Sequence, residues 1–147
     1  MGLVAATPEQ VFRVVARVED YGRFMKRVSA TRILRRDARS YDFFYRITLP
    51  WPLTDLWCVT RNVHEEDHKR QLFRRRWRLL RGTFHRNRGS WRTSPLAGQT
   101  LLIYRSTLRP RMSLPGFVLD HVAKVALPRS IKTMRERVLQ LKRQKKL

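Results

Sequence analysis

The sequence is short of the residues that mark several common chemistries. It has one cysteine, Cys58, so no internal disulfide can form, and with no CxxC pair or Cys/His cluster it offers no zinc site. Cys58 is therefore expected as a small buried strand residue. No GxSxG, HExxH, GxxxxGK or GxGxxG pattern occurs, which leaves hydrolase, zinc-protease and nucleotide-binding readings without support. The opening Met1 to Pro8 lacks a basic segment and has only a very short apolar run, and Ala6 stands where a myristoylation pattern needs Ser or Thr. The expectation is a soluble cytoplasmic protein, peripheral to the membrane at most.

Acidic residues are the other shortage: 11 Asp and Glu stand against 33 Lys and Arg, a net charge of +22. From His68 to Leu119 there is no acid at all, while Arg70, Arg74, Arg76, Arg78, Arg88 and Arg105 all fall in that stretch. Nothing local in sequence neutralises them. Such a field draws polyanions, either an anionic membrane surface or RNA and the ribosome, unless the arginines merely reflect codon bias on a solvated face.

What is present suits one globular domain over residues 1–147. Of the 147 residues 42% are hydrophobic, enough for a single core. Thr7-Pro8-Glu9-Gln10 before Val11, Phe12, Val14, Val15 and Val18 predicts a capped helix reaching toward Asp20, with capping-box spacing between Thr7 and Gln10. Tyr21, Phe24 and Met25 then form a short second turn that plugs one end of the core. Residues 1–6 leave room for only a short first strand, if any.

From Val28 to Leu108 the pattern alternates, as consecutive antiparallel strands do. Tyr41, Phe43, Tyr45, Ile47 and Leu49 share one parity. The next strand groups Leu53, Trp57, Val59 and Val63, with Asp55 and Arg61 on the same face. After it, Phe73, Arg75, Trp77 and Leu79 face in, and Arg70, Arg74, Arg76 and Arg78 face out. Gly82, Asn87 and Gly89 punctuate a connection, a short strand surrounds Trp91, Pro95 to Gly98 is a turn, and Gln99 to Leu108 carries Leu102 and Tyr104. Helical spacing returns after Leu114. Val118, Val122 and Val125 make one stripe and Leu127, Ile131, Met134, Val138 and Leu141 another, half a turn out of phase across Pro128. The first stripe is expected to face a lumen and the second to pack on the sheet; 142–147 form a basic, solvated tail.

The order of elements, with Ala6-Thr7-Pro8-Glu9-Gln10-Val11-Phe12, Val18-Glu19-Asp20-Tyr21-Gly22-Arg23-Phe24-Met25, Trp51-Pro52-Leu53-Thr54-Asp55, Gly89-Ser90-Trp91-Arg92-Thr93, Gly98 to Tyr104 and Leu114-Pro115-Gly116-Phe117, resembles the polyketide cyclase/dehydrase branch of the START-like (Bet v 1-like, SRPBCC) superfamily. Coenzyme Q-binding proteins and the bacterial ribosome-association toxin belong to that branch. The resemblance implies an α+β helix-grip fold, a curved antiparallel sheet wrapped around a long C-terminal helix, with two short helices near the N-terminus. Lys26 replaces a common proline after the Phe-Met pair, and Leu56-Trp57 an Arg-Asp pair. Both departures bear on ligand and activity more than on fold.

In such a fold the concave face encloses a hydrophobic small molecule: a lipid, isoprenoid quinone or polycyclic aromatic. The lining candidates are Phe43, Tyr45, Ile47, Trp57, Val59, Phe73, Arg75, Trp77, Trp91, Leu102, Tyr104, Phe117, Val118, His121, Val122 and Val125. The competing reading is a solid core. Arg75 has inward parity, so its guanidinium needs Asp55 or a ligand oxygen as partner, unless a bulge turns it out. No catalytic residue, metal or cofactor is assigned. An aromatase/cyclase-like enzyme using Tyr45, Arg75 and Tyr104 to polarise a polyketide remains the third reading, after a binding or transport protein and an RNA module.

Overall fold

A computed structural model describes residues 1–121 and 127–147; the side chains of 127 and 128 are not described. The Thr7 side chain accepts from the Gln10 amide (3.2 Å) and the Gln10 side chain accepts from the Thr7 amide (3.0 Å), so α1 (Pro8–Ala16) starts with the expected capping box. It ends earlier than its apolar pattern suggested. A 3-10 turn, Val18–Asp20, and the single turn α2 (Tyr21–Phe24) follow.

Seven strands make one sheet: β1 (Gly2–Val4), β2 (Val28–Arg36), β3 (Ser40–Ile47), β4 (Leu56–Asp67), β5 (Leu72–Gly82), β6 (Phe84–Leu96) and β7 (Gln99–Pro110). Their order is β1-β7-β6-β5-β4-β3-β2, every neighbour antiparallel. The meander is therefore closed at one edge by β1, three residues long, pairing Gly2 with Leu102 and Val4 with Thr100. Among the described residues two further helical segments follow, α3 (Gly116–His121) and α4 (Leu127–Arg143). This is the expected helix-grip architecture.

Two expectations for the sheet need correction. Gly82, at positive φ, does mark a connection, but from Phe84 to Thr93 the chain is already the start of the 13-residue β6 and not a loop with a short strand. Gly89 sits inside that strand because the Trp77 indole occupies its inner side: a Cβ there would lie 2.5 Å from the ring. The turn expected over Pro95 to Gly98 is there, narrowed to Ala97-Gly98, both at positive φ (52° and 74°), with Leu96 paired to Gln99, as a tight two-residue hairpin requires.

The second correction concerns β4. Tyr45 pairs with Cys58 and Phe43 with Thr60, so Leu56, Cys58, Thr60 and Asn62 share the inner face. Trp57, Val59, Arg61 and Val63 are on the outer one. Sequence parity favoured the more apolar set, but that set is satisfied outside: Trp57 lies 6.2 Å from the Phe44 ring across the strand pair.

The core sits between the concave face, α1 and α4. Val4, Val11, Phe12, Val14, Val15 and Val18 pack with Phe73, Leu102, Met134, Val138 and Leu141, all buried. The Phe12 and Phe73 rings stack at 5.3 Å. The apolar stripe of α4 thus packs as expected, on α1, β1 and β7. Its tail is not wholly free, because the Lys142 ammonium donates to the Ala5 carbonyl (2.8 Å). Whether the stripes change phase across Pro128, as expected, lies outside the described residues.

Candidate functional site

Solid packing fills the end of the concave face near α1, and a smaller cluster around Leu56, Cys58 and Phe84 packs farther along the sheet. Toward the other end the side chains part around a cavity of about 740 Å³. Its walls come from β3 to β7, α2, α3 and the start of α4, and its rim from Lys26, Arg27 and Pro50 in loops and Phe117, Leu119 and Arg129 on the helices, all exposed. Phe117 is 74% exposed and Trp51, beside Pro50, 92%. Large apolar side chains around an apolar opening, interleaved with cations, are unusual in a surface that meets only water.

Of the residues expected to line the interior, Phe43, Tyr45, Ile47, Arg75, Trp77, Trp91, Tyr104 and Val118 form the wall, while Phe117 and His121 stand at the rim. Phe73 and Leu102 face inward but belong to the packed end, so they do not border the cavity. Trp57 and Val59 are on the opposite face of the sheet, by the register given above. Val122 and Val125 lie outside the described residues. Sequence reasoning missed Tyr21, Leu56, Thr60, Asn62, Phe84 and Asn87. Thr60, Asn62 and Asn87 read as solvent-facing or turn residues, although each is 1% exposed.

These polar residues are inside because they satisfy one another. Asn62 donates to the Thr60 carbonyl and hydroxyl (3.2 and 3.0 Å). Asn87 accepts from the Trp77 indole N–H (3.0 Å) and donates to the Tyr45 hydroxyl (2.6 Å) and Cys58 sulfur (3.3 Å). The network fixes the rotamers of two aromatic wall residues. Burial pushes the Cys58 thiol up to about 11, holds the Tyr45 hydroxyl well above its ordinary range and raises that of Tyr104, so all three stay protonated near neutrality.

Arg75 is the exception to mutual satisfaction. It is 5% exposed, between Phe73 and Trp77 as its parity required, with no bulge to turn it out. Nη1 donates to the Val15 carbonyl (3.2 Å) and the Tyr21 hydroxyl (3.0 Å), and Tyr21 in turn donates to the same carbonyl (2.6 Å). The carbonyl ends α1, so the cation sits at the negative end of that helix. The guanidinium carbon lies 5.2 Å from the Tyr21 ring centre and 5.0 Å from that of Trp77. Asp55, the expected partner, is instead exposed and faces Arg46 at 3.8 Å. Among the described residues every partner of Arg75 is thus a neutral dipole, and its Nε is buried with no acceptor. Arg75 borders the cavity as a full positive charge, and its Nε, itself buried, leaves one hydrogen bond unmade.

His64 also lies near Arg75. Its Nε2 is 3.0 Å from the Tyr41 hydroxyl, and burial first, then the Arg75 and Arg36 cations, lower its pKa to about 4. It is outside the cavity wall. Among the described residues no three His, Cys, Asp or Glu side chains come together as a metal would need.

The outer face of the sheet divides in two. Over β2 to β4, Asp42 holds Arg61 (2.9 Å) and Arg35 (3.3 Å). Over β5 to β7 the outward side chains include Arg74, Arg76 and Arg78, as expected, with Arg88, Arg92 and Arg105 beside them. Arg70 departs from its expected place: it is in the β4–β5 turn, where its amide bonds Asp67. Local neutralisation is also greater than sequence adjacency suggested, because Glu65 of β4 contacts both Arg74 and Arg76 (2.7 Å to the latter).

The family model described as polyketide cyclase / dehydrase and lipid transport matches residues 4–135. No curated protein matches the sequence. Among solved structures, a STAR-related lipid transfer protein of Xanthomonas axonopodis superposes with a TM-score of 0.77 at 18% identity over 92% of this chain and 81% of that one. A START superfamily protein of Mycobacterium smegmatis gives 0.75 at 19% over 95% and 94%. The Zhui aromatase/cyclase of Streptomyces sp. R1128 gives 0.74 at 15% over 95% and 91%. At these identities the likeness is one of fold. Among the described residues no helix is long and apolar enough to cross a membrane.

Proposed function

The chain belongs to the polyketide cyclase/dehydrase and lipid transport family, and from that premise we propose that it is a carrier for one hydrophobic molecule bearing a carbonyl or acid oxygen, such as a lipid or an isoprenoid quinone. The observation that carries this reading is a cavity of about 740 Å³ with a buried guanidinium in its wall whose Nε has no acceptor. The volume lies within the range of pockets that enclose a ligand. Apolar walls supply affinity at about 0.8 kcal/mol per methylene buried. Arg75 supplies orientation: the ligand oxygen goes to the guanidinium and the chain extends toward the rim.

Loading and release then take place at the rim. Trp51, Phe117 and Leu119 insert among acyl chains while Lys26, Arg27 and Arg129 meet anionic headgroups. The membrane contact is thus assigned to the mouth and not to the arginine-bearing strands.

The test is native mass spectrometry of gently purified protein, followed by titration with a fatty acid, a quinone and a hydrocarbon of equal length. The expected outcome is retention of one ligand, with the fatty acid and quinone losing affinity in Arg75→Met and the hydrocarbon unaffected. Absence of bound ligand together with no binding of any probe refutes the carrier reading. An aromatase/cyclase-like role would use the same Arg75 with Tyr45 and Tyr104; turnover of a polyketide substrate, abolished in Arg75→Ala, is the result that would favour it.

A further inference from the structure

Strands β5, β6 and β7 contain no lysine, aspartate or glutamate. Their outward cations are all arginines, and the register sets them in rows: Arg74 opposite Arg92, Arg76 opposite Ser90 and then Arg105, Arg78 opposite Arg88 and then Thr107. Like charges directly opposite each other oppose strand pairing. Two such pairs on adjacent strands, partly offset by Glu65 against Arg74 and Arg76, leave a face whose self-repulsion an external anion would relieve. Arg74, Arg76, Arg88 and Arg105 also border a shallow groove that contains Ser90 and Thr107.

From these rows we infer that the outer β5–β7 face is a docking surface for the phosphate backbone of a nucleic-acid duplex, bound without regard to sequence. Arginine forks match phosphate oxygens in pairs, and the two hydroxyls add donors of the kind that hold a backbone in register. Rows from Arg74 to Arg78 extend roughly 14 Å along the strand, a length over which a duplex carries about eight phosphates. No aromatic side chain is among the outward residues in these rows, so the stacking that holds single strands is missing. The large apolar residues exposed on these strands, Leu72 and Leu96, are at strand ends, outside the rows. A bilayer would meet only one apolar side chain within the rows, the half-buried Ile103 beyond Arg92. It would also find the sheet between itself and the cavity, whereas the apolar rim at the mouth has the opposite composition.

The experiment compares the full chain with the triple variant Arg76→Gln, Arg88→Gln, Arg105→Gln, all exposed positions, and with a control of equal charge change, Arg23→Gln, Arg135→Gln, Arg143→Gln. Each is titrated with short duplex RNA and duplex DNA across a salt series, and with phosphatidylglycerol vesicles. The wild-type chain is expected to bind both duplexes. Removing three phosphate contacts flattens the slope of log affinity against log salt by about 2.7, which at about 0.1 M salt weakens duplex binding on the order of a hundredfold or more. The control stays close to wild type, and vesicle binding survives in the triple variant. The same variant melts higher than wild type at low salt, which shows that it folds. Failure of the wild type to bind duplexes, equal loss in the control, or loss of vesicle binding in parallel with duplex binding overturns the proposal; the last of these would make the face a membrane surface.

Discussion

The two ends of the interior are made of similar side chains and do different things. Near α1, Val11, Phe12, Val15, Phe73, Leu102 and Met134 meet one another and exclude solvent. Toward the rim, Phe43, Tyr45, Trp77, Trp91 and Tyr104 have neighbours along the sheet but face open space across it. The aromatic rings of the open end stack within the wall, Trp91 on Tyr104 at 4.3 Å, instead of reaching across. The difference teaches that the packed end provides the stability that lets the other end stay hollow. Hydrogen-bonded asparagines then do at the open end what interdigitation does at the packed one: they lock side-chain positions.

Truncating the same residue type at each end gives the largest expected effect. Phe73→Ala removes a ring stacked on Phe12 and should cost about 3–5 kcal/mol of unfolding free energy by urea denaturation. Phe43→Ala borders space that is already empty and should cost less, about 1–2 kcal/mol, with the gap narrowing once ligand fills the cavity. Equal losses would mean the hollow end is packed in solution.

Arg75→Met sharpens the same contrast through charge. A buried cation without a carboxylate is replaced by an apolar chain of similar length, so the unliganded protein should melt within a few degrees of wild type or higher. Affinity for a carboxylate-bearing ligand should nevertheless fall about 10–100-fold, the worth of a hydrogen bond to a charged group. Calorimetric titration and a thermal melt on the same sample separate the two. A large drop in melting temperature with unchanged affinity would make Arg75 purely the cap of α1.

Much of this arrangement was legible in the residues, for identifiable reasons. The inner and outer faces of β3 and β5 could be assigned because charge dominates one parity and, Phe44 apart, rings the other, and Arg75 stood out because it broke that rule. β4 was misread because both of its parities carry apolar side chains. Only the register with β3 reveals that Thr60 and Asn62 are inside, satisfied by each other. Alternation gives a side chain's face but not its place along the sheet, so Phe73 and Leu102 could not be told from cavity-lining residues. Gly89 looked like a turn because nothing local announces that the Trp77 indole, on another strand, needs its missing Cβ. Glu65 as neutraliser of Arg74 and Arg76 follows from the β4–β5 pairing, which no count of nearby acids reveals.

The smallest effect concerns the boundary between the two ends. His64 meets Phe12 from α1 at 5.3 Å, shares a hydrogen bond with Tyr41 of β3, and lies in the field of Arg75 and Arg36. With a folded pKa of about 4 against an ordinary 6.5, the native state stays neutral where the unfolded chain already takes up a proton. The contribution is therefore complete above about pH 6.5 and lost as pH falls from there toward 4. The carboxylates Asp42 and Glu65, held low by their arginine partners, lose their own contributions only at more acid pH, so the interval from about 4.5 to 6.5 isolates the histidine. In His64→Gln the unfolding free energy should be flatter across that interval than in wild type. An unchanged slope would mean that the ring is solvated, and that the packed end stops short of β4.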